Sequence, residues 1–430
     1  MEYKFKEDQL KLICINLSDE IKRDDKLLNN KDVTIFNSSI IELKNTDNLL
    51  IASRGWYGNI RSWSGINFVI LSLFTNKLKK IKQNILDIDQ DLLKNRSLKF
   101  KELKDKVIPH KDKLLDGPED PRLFYYKDDI YILVNELTPE KKRHMFISKI
   151  YLETLSYNNK INICKSLSTD FEKNWGPFIY KNKLHMLYDI NPLKIFELDD
   201  DFKCKQICNI NDKILKKFSV SYPNLDFHIR NSSNLIDVGS NIFLGMGHGV
   251  LDYKDKTDIN KYLIPSFQKS GYSKSDKEYF NKFYKLYTGF FFKLNMNTKE
   301  ITEISPFFQL PNYESKQELI FFPTSIYLDK EKYINISYNV GDNRSYFMRL
   351  HYEIIEISLY KKMNIDFQVN HNINQNYYLE LIRSIRKLMG FPIQRKEYYK
   401  FRDVKKFYNS RLRASRKKTK KKKKRNTKRK

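Results

Sequence analysis

Cysteine is scarce in this chain of 430 residues, and its four cysteines, Cys14, Cys164, Cys204 and Cys208, show no regular spacing. A structural zinc site uses paired Cys or His ligands, and Cys204 and Cys208 are isolated from a second such pair. The spacing therefore argues against zinc, and no metal cofactor is expected. We expect the cysteines to be free thiols in a reducing compartment.

Long apolar runs are also missing. The N-terminal residues Met1 to Lys6 are charged and have no apolar signal region. No uninterrupted apolar run approaches the roughly 20 residues that cross a bilayer. The most hydrophobic stretch, Ile66 to Phe74, is typical of a buried strand or a short helix. These features predict a cytoplasmic protein without a transmembrane segment.

Acidic residues are absent from the C-terminal segment Arg411 to Lys430, which holds half of the net charge of +28. Such a segment has too little apolar surface to offset the entropy of ordering it, so we expect a disordered basic tail. The tail could contact nucleic acid or an anionic membrane, or act in nuclear targeting. A solvated tail with no fixed partner is the alternative. Because the charge is concentrated there, the folded body is not predicted to bind nucleic acid.

The chain as a whole is rich enough in apolar residues to bury a large core, with 40% hydrophobic and 14% aromatic residues. Five segments share one design, in which a polar turn separates two β-rich runs, a pattern typical of hairpins. They are 39–52, 122–134, 177–188, 233–246 and 323–338. Hairpins at irregular intervals favour an all-β fold, a five-bladed β-propeller with long insertions. A β-sandwich is the alternative.

The pattern predicts four parts along the chain. Apolar residues recur at helical spacing between Tyr378 and Met389, and Gly390 ends that helix. We therefore expect an N-terminal segment 1–32, a catalytic propeller 33–370, a helical extension 371–410 and the basic tail 411–430.

The segment 116–124 carries the most informative chemistry, since it places two adjacent carboxylates, a proline and an arginine before an apolar run. Proline fixes φ and cannot donate to a central ladder, so Pro121 suits the entrance of a strand. Asp120 and Arg122 would then project from the end of that strand. A carboxylate beside a guanidinium is normally ionised, whereas a desolvated one can hold a proton and act as an acid. The alternative is a surface Asp–Arg pair at a turn.

Other polar residues stand before the hairpins or at the ends of their return strands. In a propeller the first strand of each blade lines the central channel, so these residues would converge in one funnel. A lone histidine such as His248 is more often structural. The converging residues are Asn37, Ser38, Asp120, Arg122, Lys173, Asn174, Trp175, Arg230, His248 and Asp342.

Several motifs containing these residues resemble, in the same order, those of the β-mannoside phosphorylases and related β-mannosyltransferases, which are five-bladed propellers. The most specific is Gly117-Pro118-Glu119-Asp120-Pro121-Arg122, which resembles a Glu-Asp-Pro-Arg motif after a glycine. The others are Asn37-Ser38-Ser39-Ile40-Ile41, Lys173-Asn174-Trp175, Gly247-His248-Gly249-Val250, Phe321-Phe322-Pro323-Thr324 and Tyr338-Asn339-Val340-Gly341-Asp342. The resemblance spans residues 33 to 355. It departs at 230–233, where the family usually has a Gly-rich or Pro-rich segment.

The resemblance implies inverting glycosyl transfer or phosphorolysis of a β-mannoside-type bond in an oligosaccharide or glycan, with Asp120 as the general acid. It implies that one group of side chains binds the sugar, and Trp175 would either stack on it or lie in the core. These are Asn37, Ser38, Arg122, Asn174, Trp175 and Asp342. Lys173, Arg230 and His248 would bind inorganic phosphate or a sugar-phosphate or nucleotide-sugar donor, which serves as co-substrate rather than cofactor.

Two other functions fit the same residues. A glycoside hydrolase of this fold would need a second acid, for which Glu119 and Asp342 are the candidates. A propeller that binds a glycan or polyanion without turnover is the second alternative, and retention of Asp120 argues against it.

Overall fold

The structure is a computed structural model that describes residues 13–59, 64–94, 117–140, 142–165, 171–211, 220–222, 225–253, 285–305, 320–356 and 359–361. The predicted helical extension 371–410 and basic tail 411–430 lie outside the described residues. In the part that is described, no helix is both long enough and apolar enough to span a membrane.

Antiparallel strands make up most of the described chain. In the first half they are β1 (Ile13–Asn16), β2 (Val33–Glu42), β3 (Leu49–Asn59), β4 (Ser64–Phe74), β5 (Lys80–Leu86), β6 (Glu119–Tyr126), β7 (Asp129–Leu137), β8 (Arg143–Tyr151), β9 (Ser156–Tyr157), β10 (Ile161–Asn162), β11 (Gly176–Tyr180), β12 (Lys183–Ile190), β13 (Leu193–Leu198) and β14 (Cys204–Ile210).

The second half has β15 (Val220–Tyr222), β16 (Leu225–Asn231), β17 (Ile236–Asp237), β18 (Ile242–Tyr253), β19 (Lys285–Asn295), β20 (Glu300–Ile304), β21 (Phe321–Leu328), β22 (Tyr333–Val340), β23 (Arg344–His351) and β24 (Tyr360–Lys361). Short helices are α1 (Leu17–Lys22), α2 (Gln90–Lys94) and α3 (Tyr352–Glu356). The prediction of a mostly β-strand protein is confirmed.

Two-residue turns account for two of the predicted hairpins. A two-residue turn with positive φ at both positions matches the twist of the strands it joins, and short polar residues tolerate that conformation best. The turn residues Lys127-Asp128 and Lys181-Asn182 all have φ between 48° and 65°. These turns set the register of β6 with β7 and of β11 with β12.

The strands pair into four sheets, which contain five antiparallel groups. The first group is β2–β5, the second β6–β10, the third β11–β14, the fourth β15–β20 with β24, and the fifth β21–β23 with β1. The first and fifth groups share one sheet through a single parallel bridge between Ile35 and Arg344. The hydrogen-bonded strand pairs therefore leave all four sheets open. The order of the strands does not confirm the predicted number of five blades.

Each predicted hairpin is present as an antiparallel pair, with one difference in the fourth group. There β17 contributes only two residues, and the longer neighbour of β18 is β16. The sequence analysis placed the residues of β16 ahead of the hairpin. A further finding concerns the N-terminal segment, because β1 pairs with β23 and supplies an outer strand of the fifth group.

Side-chain hydrogen bonds connect the first strands of neighbouring groups. Ser39 Oγ of β2 accepts from the Leu123 backbone N–H of β6 at 2.9 Å. Ser325 Oγ of β21 accepts from the Ile40 N–H of β2 at 2.8 Å. These buried hydroxyls satisfy backbone donors that face away from their own ladder, and so they hold β2 between β6 and β21.

Similar bonds connect the later groups. The Leu235 N–H, just before β17, donates to the Pro177 carbonyl of β11 at 3.1 Å. Asn234 bonds both backbone groups of Ile326 in β21, at 2.9 and 3.0 Å. The segment just before β17 in the fourth group therefore contacts both β11 of the third group and β21 of the fifth.

Apolar side chains fill the spaces between the groups. One cluster packs Ile41 and Leu50 of the first group against Leu123 and Ile132 of the second. Another packs the second group against the third around Trp175. Each fully buried Leu or Ile contributes about 1.5–3 kcal/mol of hydrophobic stabilisation, so these interfaces hold the groups together.

A disulfide joins Cys164, which follows β10, to Cys204, the first residue of β14, with Cα atoms 4.9 Å apart. The expectation of free thiols is therefore wrong for these two cysteines. They lie 40 residues apart in sequence and in different groups, so only the packing of the second group on the third brings them together. Cys208 is a buried free thiol, as expected.

We expect the double variant Cys164→Ser, Cys204→Ser to unfold with a free energy about 4 kcal/mol lower than the wild type, because a cross-link over this loop length removes that much entropy from the unfolded chain. Urea denaturation measures the difference. Reductant should destabilise the wild type and leave the double variant unchanged. Equal wild-type stability with and without reductant would contradict the prediction.

Candidate active site

Two β-bulges aim Asn37 and Asp120 away from their own strands. The register of β2 with β3 shifts between Phe36 and Ser39, and that of β6 with β7 shifts between Glu119 and Arg122. At these shifts Asn37 has φ 49° and Asp120 has φ 52°. A bulge re-aims a side chain, and positive φ in non-glycine residues concentrates at functional sites.

The turn before β6 depends on a glycine. Gly117 has φ 81°, and a Cβ atom there would lie 2.2 Å from the Asn67 carbonyl oxygen of β4. No other residue fits so close to the backbone at this φ. Gly117 therefore lets the chain enter β6 at Glu119, two residues before Pro121.

The carboxylate of Asp120 accepts two hydrogen bonds at the same oxygen. Asn37 Nδ2 donates to Oδ1 at 2.5 Å, and Arg54 Nη1 donates to it at 3.1 Å. The side chain of Asp120 remains 18% exposed. Two strands thus hold the carboxylate in place while it keeps contact with solvent.

The neighbouring acid, Glu119, is buried and surrounded by cations. Its Oε1 lies 3.1 Å from both Arg54 Nη2 and Arg143 Nη2, and its Oε2 lies 3.6 Å from Lys173 Nζ. Burial alone would raise the pKa of Glu119, but Arg54, Lys173 and Arg143 together hold it at about 2. Glu119 is therefore ionised and fully occupied in ion pairs.

Asp342 follows β22 and belongs to the same electrostatic neighbourhood. Asn339 Nδ2 donates to its Oδ1 at 3.1 Å, and its φ is 50°. Burial raises the pKa of Asp342 to about 6; Arg54 opposes the rise, and the charge on Asp120 adds to it. Asp120, Glu119 and Asp342, with Arg54 and Lys173, form what we call the carboxylate cluster.

We expect Asp342 to make folding less favourable as pH rises from 4 to 7. The native carboxyl keeps its proton up to about pH 6, whereas the unfolded one loses it near 3.8. The unfolded state then binds fewer protons, so stability falls as pH rises, by at most about 3 kcal/mol for two pKa units. The difference between wild type and Asp342→Asn in urea denaturation at several pH values measures this. A pH-independent difference would refute it.

A second cluster lies around His248 in β18. His248 Nδ1 is 2.6 Å from Ser232 Oγ, and its ring packs against Phe322 with centroids 4.8 Å apart. Burial lowers the pKa of His248 well below its usual value, and the charge of Arg230 lowers it further. The imidazole is therefore neutral at pH 7. We call His248, Arg122 and Arg230 the cationic cluster.

Arg122 is buried, and its guanidinium is only partly used. Nη1 donates to the Thr324 carbonyl of β21 at 2.8 Å, while Nη2 has no hydrogen-bond partner in the described part of the chain. Burial lowers the pKa of Arg122 to about 10, and Asp120 opposes that shift. Arg230 stands opposite His248 in the register of β16 with β18 and is exposed.

The remaining predicted residues are Trp175, Ser38 and Asn174. Trp175 is 1% exposed, lies in the apolar core between the second and third groups and donates from Nε1 to Glu172 Oε2 at 3.1 Å. Of the two roles left open by the sequence, it therefore has the core position. Ser38 is fully buried and bonds Ser53 Oγ at 2.7 Å. The Asn174 carbonyl accepts from Asn231 Nδ2 at 3.1 Å.

The structure thus brings Asn37, Asp120, Lys173 and Asp342 into one cluster, and places Arg122, Arg230 and His248 in a second. The sequence analysis missed Arg54, the residue that contacts both Glu119 and Asp120. Its Nε also donates to Asn67 Oδ1 at 2.8 Å. A usable signal was present, since Arg54 interrupts the apolar strand β3 and a charge inside a buried strand requires a partner.

No protein-family profile and no curated protein matches the chain. Several solved structures resemble it in part. A mannose phosphorylase from Leishmania mexicana is 11% identical, with a TM-score of 0.44, and the match covers 79% of this chain and 90% of that one. A β-1,2-mannobiose phosphorylase from Listeria innocua is 9% identical, with a TM-score of 0.46, covering 78% and 97%.

A GDP-Man-dependent mannosyltransferase from Leishmania mexicana is 11% identical, with a TM-score of 0.41, and the match covers 75% of this chain and 86% of that one.

Proposed function

We propose that this chain is a carbohydrate-active enzyme built as a five-bladed β-propeller, its five strand groups being the blades. It makes or breaks β-mannoside-type glycosidic bonds by inverting glycosyl transfer or phosphorolysis. Asp120 is the general acid. The hydrogen bonds that join β2 to β6, β2 to β21, and Asn234 to β21 support the propeller arrangement, because they bring neighbouring groups towards a common centre.

The observation that carries this function is the unequal use of the two adjacent acids. Glu119 forms ion pairs with Arg54, Arg143 and Lys173, so it can neither give nor take a proton at neutral pH. Asp120 is partly exposed and fixed by Asn37 and Arg54. One free carboxyl suffices when phosphate or a sugar hydroxyl is the nucleophile, since no second carboxylate is needed to activate water.

In phosphorolysis Asp120 donates its proton to the glycosidic oxygen, directly or through a sugar hydroxyl. The bond from that oxygen to the anomeric carbon breaks as a phosphate oxygen attacks the opposite face of that carbon. The products are a sugar 1-phosphate and the free alcohol. Arg54 and Asn37 stabilise the carboxylate that remains, which regains its proton from solvent.

The cationic cluster supplies the anion site. Arg122 Nη2 is a buried donor without a protein partner in the described residues, which marks a place where an oxyanion would satisfy it. Arg230 adds an exposed positive charge opposite His248. Inorganic phosphate and a sugar-phosphate or nucleotide-sugar donor all present the oxygens that guanidinium groups bind.

Hydrolysis is the second candidate, and Asp342 is the observation in its favour. An inverting hydrolase needs one carboxyl that holds a proton and another that is ionised. Asp342, with its pKa raised to about 6, lies within the electrostatic influence of Asp120. In that mechanism Asp342 and Asp120 would divide the acid and base roles.

The deciding experiment incubates the pure protein with β-mannobiose with and without inorganic phosphate. We expect mannose 1-phosphate to form only with phosphate, and β-mannoside synthesis in the reverse direction. Transfer from a nucleotide sugar without phosphorolysis would assign a transferase, and phosphate-independent release of mannose would assign the hydrolase. No turnover under any of these conditions would overturn the proposed function.

A further inference from the structure

Phe171 presents an exposed aromatic ring beside the carboxylate cluster. Its side chain is 49% exposed although it is large and apolar. Its backbone is anchored, because Phe171 forms a parallel bridge with Arg143 and the next N–H, of Glu172, donates to the Arg143 carbonyl at 2.8 Å. Arg143 in turn pairs with Glu119 at 3.1 Å. The ring is therefore tied to the strand end that carries Asp120.

Lys173 connects the ring to the cluster directly. Its Nζ lies 4.6 Å from the centroid of the Phe171 ring and 3.6 Å from Glu119 Oε2. A cation over an aromatic face is attracted by the ring electrons. The Lys173 ammonium group therefore lies over one face of the ring, while 49% of the Phe171 side chain remains exposed.

A single exposed apolar side chain is ordinary on a protein surface, so its exposure indicates a binding role only if it also lies near the proposed site. Tyr151 provides the comparison, since it is also aromatic and 44% exposed. It ends β8, whereas Arg143 begins that strand, so Tyr151 lies about 26 Å from the cluster at the usual rise per residue. Of this pair, Phe171 is the ring at the carboxylate cluster.

We propose that Phe171 is the platform on which a sugar ring of the glycan substrate stacks. A pyranose has an apolar C–H face and a rim of hydroxyls, which matches an exposed aromatic ring with an ammonium group next to it. Trp175, for which the sequence left both stacking and a core position open, is buried in the core. The inference rests on the proposed function and names the residue that recognises its sugar.

The test compares the kinetics of Phe171→Ala with wild type in β-mannobiose phosphorolysis. We expect the KM for the mannoside to rise about tenfold, with kcat within about twofold, because a lost ring stack is worth up to about one factor of ten. The KM for phosphate should not change. Phe171→Trp should restore the mannoside KM, and Tyr151→Ala should leave every constant unchanged.

A purely structural role gives a different pattern. If Phe171 only holds Lys173 in place, Phe171→Ala should raise the KM for phosphate or lower kcat, and the platform is overturned. An unchanged mannoside KM in an active Phe171→Ala enzyme overturns it too, while the proposed function stands.

Titration calorimetry with β-mannobiose on the Asp120→Asn variant separates the two proposals, since it measures binding without turnover. If the wild type shows no turnover, weaker binding in Asp120→Asn, Phe171→Ala than in Asp120→Asn supports the platform while the reaction fails. Equal binding by the two variants, or no binding by either, overturns it.

Discussion

Replacing Asp120 by Asn should reduce turnover by about 10²–10⁴-fold or more while the protein stays folded, because a general acid contributes that much and the adjacent Glu119 is held in ion pairs. The substitution removes a proton donor at nearly constant volume. The amide oxygen can still accept from Asn37 Nδ2 and Arg54 Nη1. Steady-state kinetics with β-mannobiose and phosphate measure the effect, and thermal unfolding verifies the fold.

The matched control is Asp128→Asn in the turn between β6 and β7. Asp128 pairs with Lys44 at 2.7 Å and is exposed, so its loss should leave turnover unchanged. A faster reaction when an external acid such as formate is added to Asp120→Asn would strengthen the assignment. More than half of the wild-type rate in Asp120→Asn would refute Asp120 as the acid.

Replacing Arg54 by Met should destabilise the protein by about 3 kcal/mol and also reduce turnover, because removal of one partner from a buried ion pair leaves an uncompensated charge. Glu119 keeps Arg143 and Lys173, which places the effect at the lower end of the usual range. Asp120 loses one of its two donors. Urea denaturation and steady-state kinetics on the same preparation measure both effects.

Arg23→Met is the control for this substitution. Arg23 pairs with Glu20 at 2.8 Å across an exposed helix turn, and such pairs contribute about 0.3–0.5 kcal/mol. Arg54→Lys should recover part of the stability, since a lysine keeps the charge but reaches only one carboxylate at a time. A loss in Arg54→Met no larger than in Arg23→Met would show that Arg54 does not support the cluster.

The secondary structure was readable from local sequence. Apolar runs alternate with turn residues such as Lys127-Asp128 and Lys181-Asn182, and these take the positive φ that tight hairpins need. Hairpin pairing depends on residues close together in the chain, so local patterns predict it. The same reasoning located Asp120, because Gly117 and Pro121 mark a strand entrance by their own backbone preferences.

The residues of the candidate site could be predicted only in part from the sequence, as Trp175 and Phe171 show. Both aromatic residues flank Lys173 and Asn174 in sequence, but one is 1% and the other 49% exposed. Burial depends on what the third group packs against, and no local pattern encodes that. The sequence left open whether Trp175 stacks on a sugar or lies in the core, and it did not single out Phe171.

By itself, then, the sequence determined the hairpins, their turns and the position of the acid motif, because each depends on a few neighbouring residues. Only the tertiary structure decided that Arg54 contacts both Glu119 and Asp120, which lie 65 and 66 residues further along the chain. It also decided that Cys164 meets Cys204. Both contacts have the same physical reason. The partner of a buried charge or of a cysteine depends on which strands lie next to each other, and that depends on how the groups pack.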